Sequence, residues 1–595
     1  MKIIKSTLNI FIIIICLTTG LYCHAQQKDT KPETMTREEL TKHIEAYITE
    51  EMSGRKITGL SVAIVDSAGI LLSKGWGYAD KENKVQADSA TLFPVASITK
   101  TFTGIAVMQL VEQGLIDLDK PVGDYIEELS LPHGEEDKIT TRMLLTHHSG
   151  IQGNILYNWY LPEVSKDPLI YEQITDLINQ TGTIFPPGKL HSYSNSGYAL
   201  LGVLIHRVSG LHYVDYIRSN ILSPLGMDKS IVFAGEETDA FIARGYDGKN
   251  STSMPMKLGI PAGGMALSAA DAAKYMKAII DSYQGKSQIL QAGTMKEMMR
   301  QQNSHVPIDR RFSIGFTWFL RHPLSRYTKY AAHPGELPPY HAMLVVLPEL
   351  QAGVLISTNS NKAADAPQNM AHTISEWLYN YSTGKTIHPQ ESSKTVSYNY
   401  ELAKQHEGIY PNVYFGPMKV MAKKNRLICK SKAMPMPLHL IPCADSSYLP
   451  KVKLFGLIPL PIKQLKDLKI EFKEIDGEKF IYFIFQNSIV NPNIRIETYA
   501  SPEEYRNYTG KYRVINMEHS ERVVKKVRIK KSGDFYILNY TFLGRYQFNL
   551  ALRPVDERNA KIAGLGYFVG ENINWESSGE KVLMHWSGLI LEKKK

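Results

Sequence analysis

Three short segments carry residues whose types and spacing suit chemistry: Ser97-Ile98-Thr99-Lys100, Tyr193-Ser194-Asn195 and His333-Pro334-Gly335. A serine and a lysine three apart share one helix face, within side-chain reach of each other. A serine in a first helical turn meets the positive end of the helix dipole, which favours developing negative charge. A lysine whose pKa is lowered by burial can take that serine's proton. Ser53, Ser382 and Ser578 also begin Ser-x-x-Lys, but in polar or Gly-containing stretches. Ser97 alone follows an apolar lead-in, Phe93-Pro94-Val95, and precedes a long amphipathic pattern. Tyr193 suits proton transfer between nucleophile and leaving group. Asn195 offers a donor and an acceptor to a substrate amide. An ordinary loop tyrosine and a helix-capping asparagine are the plain alternative. Gly335 lets a substrate approach the backbone, ahead of a β-run whose edge can bind an extended peptide. His333 is a proton-transfer group, a holder of a substrate's anionic end, or a structural histidine. Together the three segments describe acyl transfer through a nucleophilic serine.

These residues need elements to position them. Thr36, with Glu39 three residues on, marks a helix start, and the pattern predicts helix to Glu51. Residues 60–65 and 70–76 are β-rich and joined by Asp66-Ser67-Ala68-Gly69, which predicts a hairpin. From Ala96 to Gln113 the apolar residues recur at helical spacing, and Gly114 supplies the stop. β-runs return at 312–319, 342–347 and 353–357, and a helix is predicted over 364–381. Strands at both ends with helices between predict an α+β unit over 36–383: one antiparallel sheet made from the two termini, flanked by helices. Residues 384–398 are polar and irregular, a linker. Residues 399–595 alternate in short runs with almost no helical period, which predicts an all-β C-terminal region. Glu407-Gly408-Ile409-Tyr410 and Thr509-Gly510-Lys511-Tyr512 each open a strand-rich segment. Two similar units, 399–499 and 500–595, are one reading of this recurrence; chance is the other.

Further segments join the three: Leu144-Leu145-Thr146-His147-His148-Ser149-Gly150, Pro187-Gly188, Pro224-Leu225-Gly226-Met227 and Ala262-Gly263-Gly264-Met265. In this order the seven resemble the serine β-lactamase and penicillin-binding-protein superfamily, in particular its class C β-lactamase-like branch of esterases and D-amino-acid peptidases. The resemblance covers 36–383 and says little about 399–595, although a small β-barrel after such a hydrolase is a familiar arrangement. It implies a serine hydrolase with an acyl-enzyme on Ser97. Lys100 and Tyr193 share the general-base role, in an order left open, and Asn195 orients substrate. Backbone N–H groups of Ser97 and Glu336 form the oxyanion hole, each such donor contributing about 3–4 kcal/mol to the transition state. The implied substrate is an amide or ester, among them peptides with D-residues and short esters; no metal and no cofactor is called for. A catalytically weak penicillin-recognising binding or sensor protein is the alternative.

Departures from the family pattern qualify this. His333 stands where true lactamases carry lysine, which argues against an efficient β-lactamase. Glu336 stands where relatives carry small residues, and its charge beside the oxyanion position would disfavour carboxylate-bearing substrates. Tyr157-Asn158-Trp159-Tyr160 reads as an apolar wall or lid, or as local core. His147 and His148 are adjacent, not four apart as a helical chelating pair would be, and read as loop structure.

A chain of 595 residues, 43% hydrophobic and 21% charged, exceeds one core and has ordinary globular composition. Lys2 and Lys5, the apolar residues 10–17 and Cys23-His24-Ala25 read as a signal peptide over 1–25, cleaved after Ala25 and short for a membrane anchor. Residues 26–35 then form a polar tether, and the expected location is periplasmic or secreted. Cys429 and Cys443 either pair in an oxidising compartment or stay as buried thiols. The net charge is +9, and Arg522, Lys525, Lys526, Arg528, Lys530 and Lys531 crowd one strand-like run. That run is a solvated face, or it gives weak association with an acidic envelope surface, at the extreme a structural adhesin. No nucleic-acid-binding module is present, so nucleic acid is not an expected partner. The expected partner is a small-molecule or peptide substrate, and the oligomeric state is not legible.

Overall fold

The computed structural model of the chain describes residues 35–157, 171–233, 242–248, 250–252, 259–286, 289–388, 393–454, 458–460, 462, 465, 468–485, 488–517, 520, 523–578 and 581–594. The expected signal peptide, nearly all of the tether, and Asn158, Trp159 and Tyr160 lie outside the described residues.

Helix α1 (Arg37–Arg55) opens as expected with a capping box. The Thr36 hydroxyl accepts from Glu39 N at 3.2 Å, and the Glu39 carboxylate accepts from Thr36 N at 2.7 Å, so two orphan donors are satisfied. The helix runs four residues past the expected end and stops where Lys56 turns left-handed. Strands β1 (Gly59–Asp66) and β2 (Gly69–Asp80) form the expected hairpin, followed by the short β3 (Val85–Gln86). Then come α2 (Thr99–Glu112), α3 (Asn195–Ser209) and α4 (Ala269–Tyr283), and the chain returns through β4 (Ala331–Leu337), β5 (Tyr340–Leu347), β6 (Ala352–Thr358) and α5 (Ala366–Thr383).

The sheet order is β3-β2-β1-β6-β5-β4. β1 pairs antiparallel with β6, with Val62 opposite Ile356, so the two ends of the unit meet at the sheet's centre. β1, β5 and β6 are buried along their whole length, because each face is covered. Ile44 of α1 and Ile374 of α5 pack on Val62 and Val354 from one side. Phe102 of α2 and Ile279 of α4 pack with Ala63 and Leu355 on the other. A sheet covered on both sides reads as unbroken apolar runs, not as alternation.

One expected strand is absent. Residues 312–319 form a tight loop with isolated bridges from Ile314 to Phe319 and from Phe319 to Ala332. Gly315 N donates to Trp318 O at 2.8 Å, Thr317 has φ +70°, and a Cβ at Gly315 would overlap the Met298 carbonyl. The β-prone side chains there serve packing, which overrides propensity.

The C-terminal region is all-β apart from single helical turns. A nine-stranded antiparallel sheet lies between Gly408 and Ile494, and a closed eight-stranded barrel between Gly510 and Lys593. An Ile409–Ile496 bridge draws the first sheet's ends together. Both units open alike: Tyr410 Oη donates to His406 O at 3.0 Å and Tyr512 Oη to Tyr508 O at 2.6 Å, each four residues back. Cys429 and Cys443 are separate buried thiols, not a disulfide, and burial pushes the Cys429 thiol up to about 12. Phe480, Tyr482 and Ile484 of the first sheet pack on Phe185, Leu190 and Ile308 of the α+β unit. Among the described residues no helix is long and apolar enough to cross a membrane.

Candidate active site

Ser97 lies in a single 3-10 turn, Ala96–Ile98, that runs directly into α2. Ala96 holds a left-handed φ of +47°, a conformation costly for a residue with a Cβ and retained only where surroundings enforce it. The enforcing contacts are local. Thr99 Oγ1 donates to Ala96 O at 2.6 Å and accepts from Met265 N at 3.1 Å, and Val95 N donates to Met265 O at 3.0 Å.

Lys100 is completely buried. Its Nζ lies 3.2 Å from Ser97 Oγ, 2.7 Å from Asn195 Oδ1 and 2.6 Å from Ala262 O. Burial without a facing carboxylate holds its pKa well below the ordinary lysine value. The Ala262 carbonyl becomes available because the Ala262-Gly263-Gly264-Met265 run turns there; a Cβ at Gly264 would crowd Ile260.

Asn195 is the first residue of α3, and Ser194 is the cap, with its Oγ accepting from Gly197 N at 2.9 Å. The asparagine side chain is thereby released from capping. Its Oδ1 accepts from Lys100, and its Nδ2 donates to Asn154 Oδ1 at 2.8 Å. The Tyr193 ring lies beneath Lys100 Nζ, 4.8 Å from centroid to nitrogen, and 6.5 Å from the His333 ring.

The His333-Pro334-Gly335 segment lies on β4 itself, the sheet's edge, where Pro334 is tolerated. A Cβ at Gly335 would collide with the Val95 carbonyl two residues before Ser97, so only glycine lets this strand close against the serine turn. His333 is completely buried, its Nδ1 lies 2.7 Å from Pro334 O, and its Nε2 has no partner among the described residues. Burial, helped by Lys100, lowers its pKa to about 3. It is therefore neutral and has no charge with which to hold a substrate's anionic end. Glu336 also differs from expectation. Its carboxyl accepts from Tyr546 Oη and lies 4.0 Å from Arg545 Nη1. Enclosure raises its pKa against the pull of both. The charge expected beside the oxyanion position is tied to the barrel.

The barrel's share of the site was not anticipated. Tyr567, on the loop Gly564-Leu565-Gly566-Tyr567-Phe568-Val569-Gly570, accepts from Asn154 Nδ2 at 2.5 Å and meets the Tyr193 ring edge-on at 6.0 Å. Ser587, in a hairpin turn, accepts from Gln152 Nε2 at 2.7 Å and donates to Asn154 O at 3.1 Å. Tyr157 of the aromatic segment donates its N–H to Ser587 O at 3.3 Å. The one available signal was an aromatic pair framed by glycines at 564, 566 and 570. Nothing in its spacing points to a partner 413 residues away.

Geometry thus gathers Ser97, Lys100, Tyr193, Asn195, His333 and Gly335 around one buried amine, with Asn154 and Ala262 as partners that spacing did not disclose. Residues 44–376 match the family model for Beta-lactamase. Protein flp of Staphylococcus aureus (strain MRSA252) is 30% identical over 217 residues, which span 36% of this chain and 43% of that protein. The putative penicillin-binding protein PbpX of Bacillus subtilis (strain 168) is 28% identical over 304 residues, 47% of this chain and 74% of the relative. Among solved structures, the crystal structure of SurE gives a TM-score of 0.58 at 20% identity, over 78% of this chain and all of that one; SurE with D-Leu gives 0.57 at 19%, over 77% of this chain. The octameric penicillin-binding protein homologue from Pyrococcus abyssi gives 0.50 at 26%, over 76% of this chain and 99% of its own. The SurE likeness bears on fold alone.

Proposed function

The chain belongs to the beta-lactamase family, and from that membership we propose that it is an exported serine hydrolase that cleaves an amide or ester through an acyl-enzyme on Ser97. The observation that carries this is the setting of Lys100. A neutral amine has two N–H groups and one lone pair. The two shortest contacts, to Ala262 O and Asn195 Oδ1, use the donors. The lone pair is left for Ser97 Oγ at 3.2 Å, the arrangement a general base requires.

In this mechanism Ser97 Oγ attacks the substrate carbonyl as its proton passes to Lys100 or Tyr193. Backbone N–H groups of Ser97 and Glu336 hold the resulting oxyanion. The tetrahedral intermediate collapses, the amine or alcohol departs with the proton, and the acyl group stays on Ser97. Water, deprotonated by the same base, then attacks the ester and releases the acid. Asn195 keeps one Nδ2 hydrogen for a substrate carbonyl. Short esters and peptides with D-residues are the substrates to try first.

Intact-mass labelling of residues 26–595 with a fluorophosphonate tests the proposal. One adduct on the wild type and none on Ser97→Ala is the expected result. No adduct on a folded wild type would remove the catalytic reading. A β-lactam adduct that forms but does not turn over would favour a penicillin-recognising binding protein, the reading that the names of two relatives support.

A further inference from the structure

We propose that His147 is a positioning residue for Tyr193, holding the tyrosine's backbone from both sides so that its phenol meets the serine and lysine. The inference rests on the serine-hydrolase reading above.

His147 occupies the turn after a short helix, Thr141–Leu145. It makes two bonds to the tyrosine segment, one on each side of Tyr193. Its carbonyl accepts from Ser192 N at 2.8 Å, and its Nδ1 accepts from Ser194 N at 3.0 Å. Its ring also packs on the Tyr193 ring, with centroids 4.3 Å apart. One residue therefore sets the tyrosine's backbone at both flanks and bounds its ring on one face.

The choice of residue points the same way. His147 has φ +61°, a region where glycine is free and asparagine is tolerated, but where other side chains are strained. If the turn alone mattered, glycine would suffice. Histidine adds an acceptor at Nδ1. That acceptor exists only in the neutral ring, and burial holds the His147 pKa well below the ordinary histidine value. With Nδ1 accepting, the proton sits on Nε2, which is buried and has no partner among the described residues.

The neighbouring residue braces the arrangement. His148 Nε2 lies 2.8 Å from Asp309 Oδ2, and Asp309 Oδ1 accepts from His191 N at 2.8 Å. The chain around Tyr193 is thus tied at 191, 192 and 194 by adjacent histidines and one aspartate. Misplacing a catalytic group by about 1 Å can cost on the order of 100-fold in rate, so a bracket of this kind has a kinetic consequence.

The experiment compares His147→Asn, His147→Gln and His147→Leu with wild type, using hydrolysis of a short p-nitrophenyl ester and the rate of fluorophosphonate adduct formation. Asparagine places an acceptor near the Nδ1 position and accepts the left-handed turn, whereas glutamine reaches the Nε2 position. Losses in kcat of about 10- to 100-fold are expected for leucine and glutamine, with KM within about threefold and recovery to within a few-fold of wild type in asparagine. In a Tyr193→Phe background, His147→Gln should cost little more, because the tyrosine it positions is already disabled. Equal losses in the asparagine and glutamine variants, or losses that multiply with Tyr193→Phe, would overturn the proposal. Should leucine fail to fold, the asparagine–glutamine pair still decides. A wild type that forms no adduct fails the hydrolase reading instead, so the two failures are distinct.

Discussion

The buried histidines and Lys100 of the α+β unit and the buried Glu571 of the barrel are ionisable groups of opposite kind. The α+β unit buries bases. His191, His333, His341 and His372 are each lowered to about 3, His147 and His322 are lowered well below the ordinary histidine value, and Lys100 is lowered likewise. The barrel buries an acid. Glu571 is raised to about 8, with its carboxyl accepting from Trp586 Nε1 at 2.7 Å. One cause acts in both: desolvation favours whichever form is neutral. The consequences differ. A buried base kept neutral can take a proton at neutral pH, whereas a buried acid kept neutral can only donate a hydrogen bond. The difference separates the region proposed to hold the chemistry from the region that contacts it.

The contrast turns on Lys100, the proposed base. Lys100→Met keeps the length of the side chain and deletes the lone pair. Turnover is expected to fall by about 1000-fold or more, with a melting temperature within a few degrees of wild type. A parallel collapse of stability and activity would make Lys100 a structural group. In the wild type, kcat should fall as pH drops through the lowered pKa of Lys100, because the protonated amine has no lone pair.

What was legible in advance follows from sequence distance. The Thr36–Glu39 capping box, the β1–β2 hairpin and the Ser97–Lys100 pair are contacts within an element or between adjacent ones, so spacing displays them. The order of the segments disclosed the sheet built from both termini. The Lys100–Ala262 bond spans 162 residues and the Tyr546–Glu336 bond 210, and no periodicity encodes either. Glu336 shows the cost. Its residue type suggested a free charge, while a tyrosine from the barrel decides where its carboxyl points. His147 is a smaller case: adjacency of two histidines excluded helical chelation, but its backbone angle and its bond to Ser194 exist only in the folded chain.

The next prediction uses pH to separate the two regions. A histidine at about 3 in the fold and near 6.5 when unfolded is neutral in both states above pH 6.5. Below that the unfolded chain takes up protons and the fold does not, so stability is lost as pH falls from 6.5 toward 3. Glu571 has the opposite sign. It is protonated in both states below pH 4.5, and its contribution is lost as pH rises from 4.5 through 8. Hydrogen exchange read by peptide should show the α+β core opening more readily at pH 5 than at pH 7. Glu571→Gln should stabilise the barrel at pH 8 by on the order of a few kcal/mol relative to its effect at pH 4. A Glu571→Gln effect with no pH dependence would mean that Glu571 is ionised in the fold.

The smallest effect tests whether the barrel braces the site at all. Ser587 Oγ accepts from Gln152 Nε2 and from Leu156 N, at 2.7 and 3.2 Å, and donates to Asn154 O at 3.1 Å. Asn154 in turn holds Asn195, one bond from Lys100. Gln152 Nε2 keeps a second acceptor in Asn154 O, and Leu156 N keeps Ser587 O at 3.1 Å, so Ser587→Ala weakens the junction without opening it. The expected cost is about 1–2 kcal/mol, with a loss of turnover of a few-fold through a less firmly held Asn195. Ser532, half-exposed at the end of a barrel strand, is the control: its alanine variant should change neither. If Ser587→Ala lowers the melting temperature but leaves turnover untouched, the barrel stabilises the chain without tuning its chemistry. If it lowers both while Ser532→Ala lowers neither, the buried base depends on a hairpin more than 430 residues from Asn154.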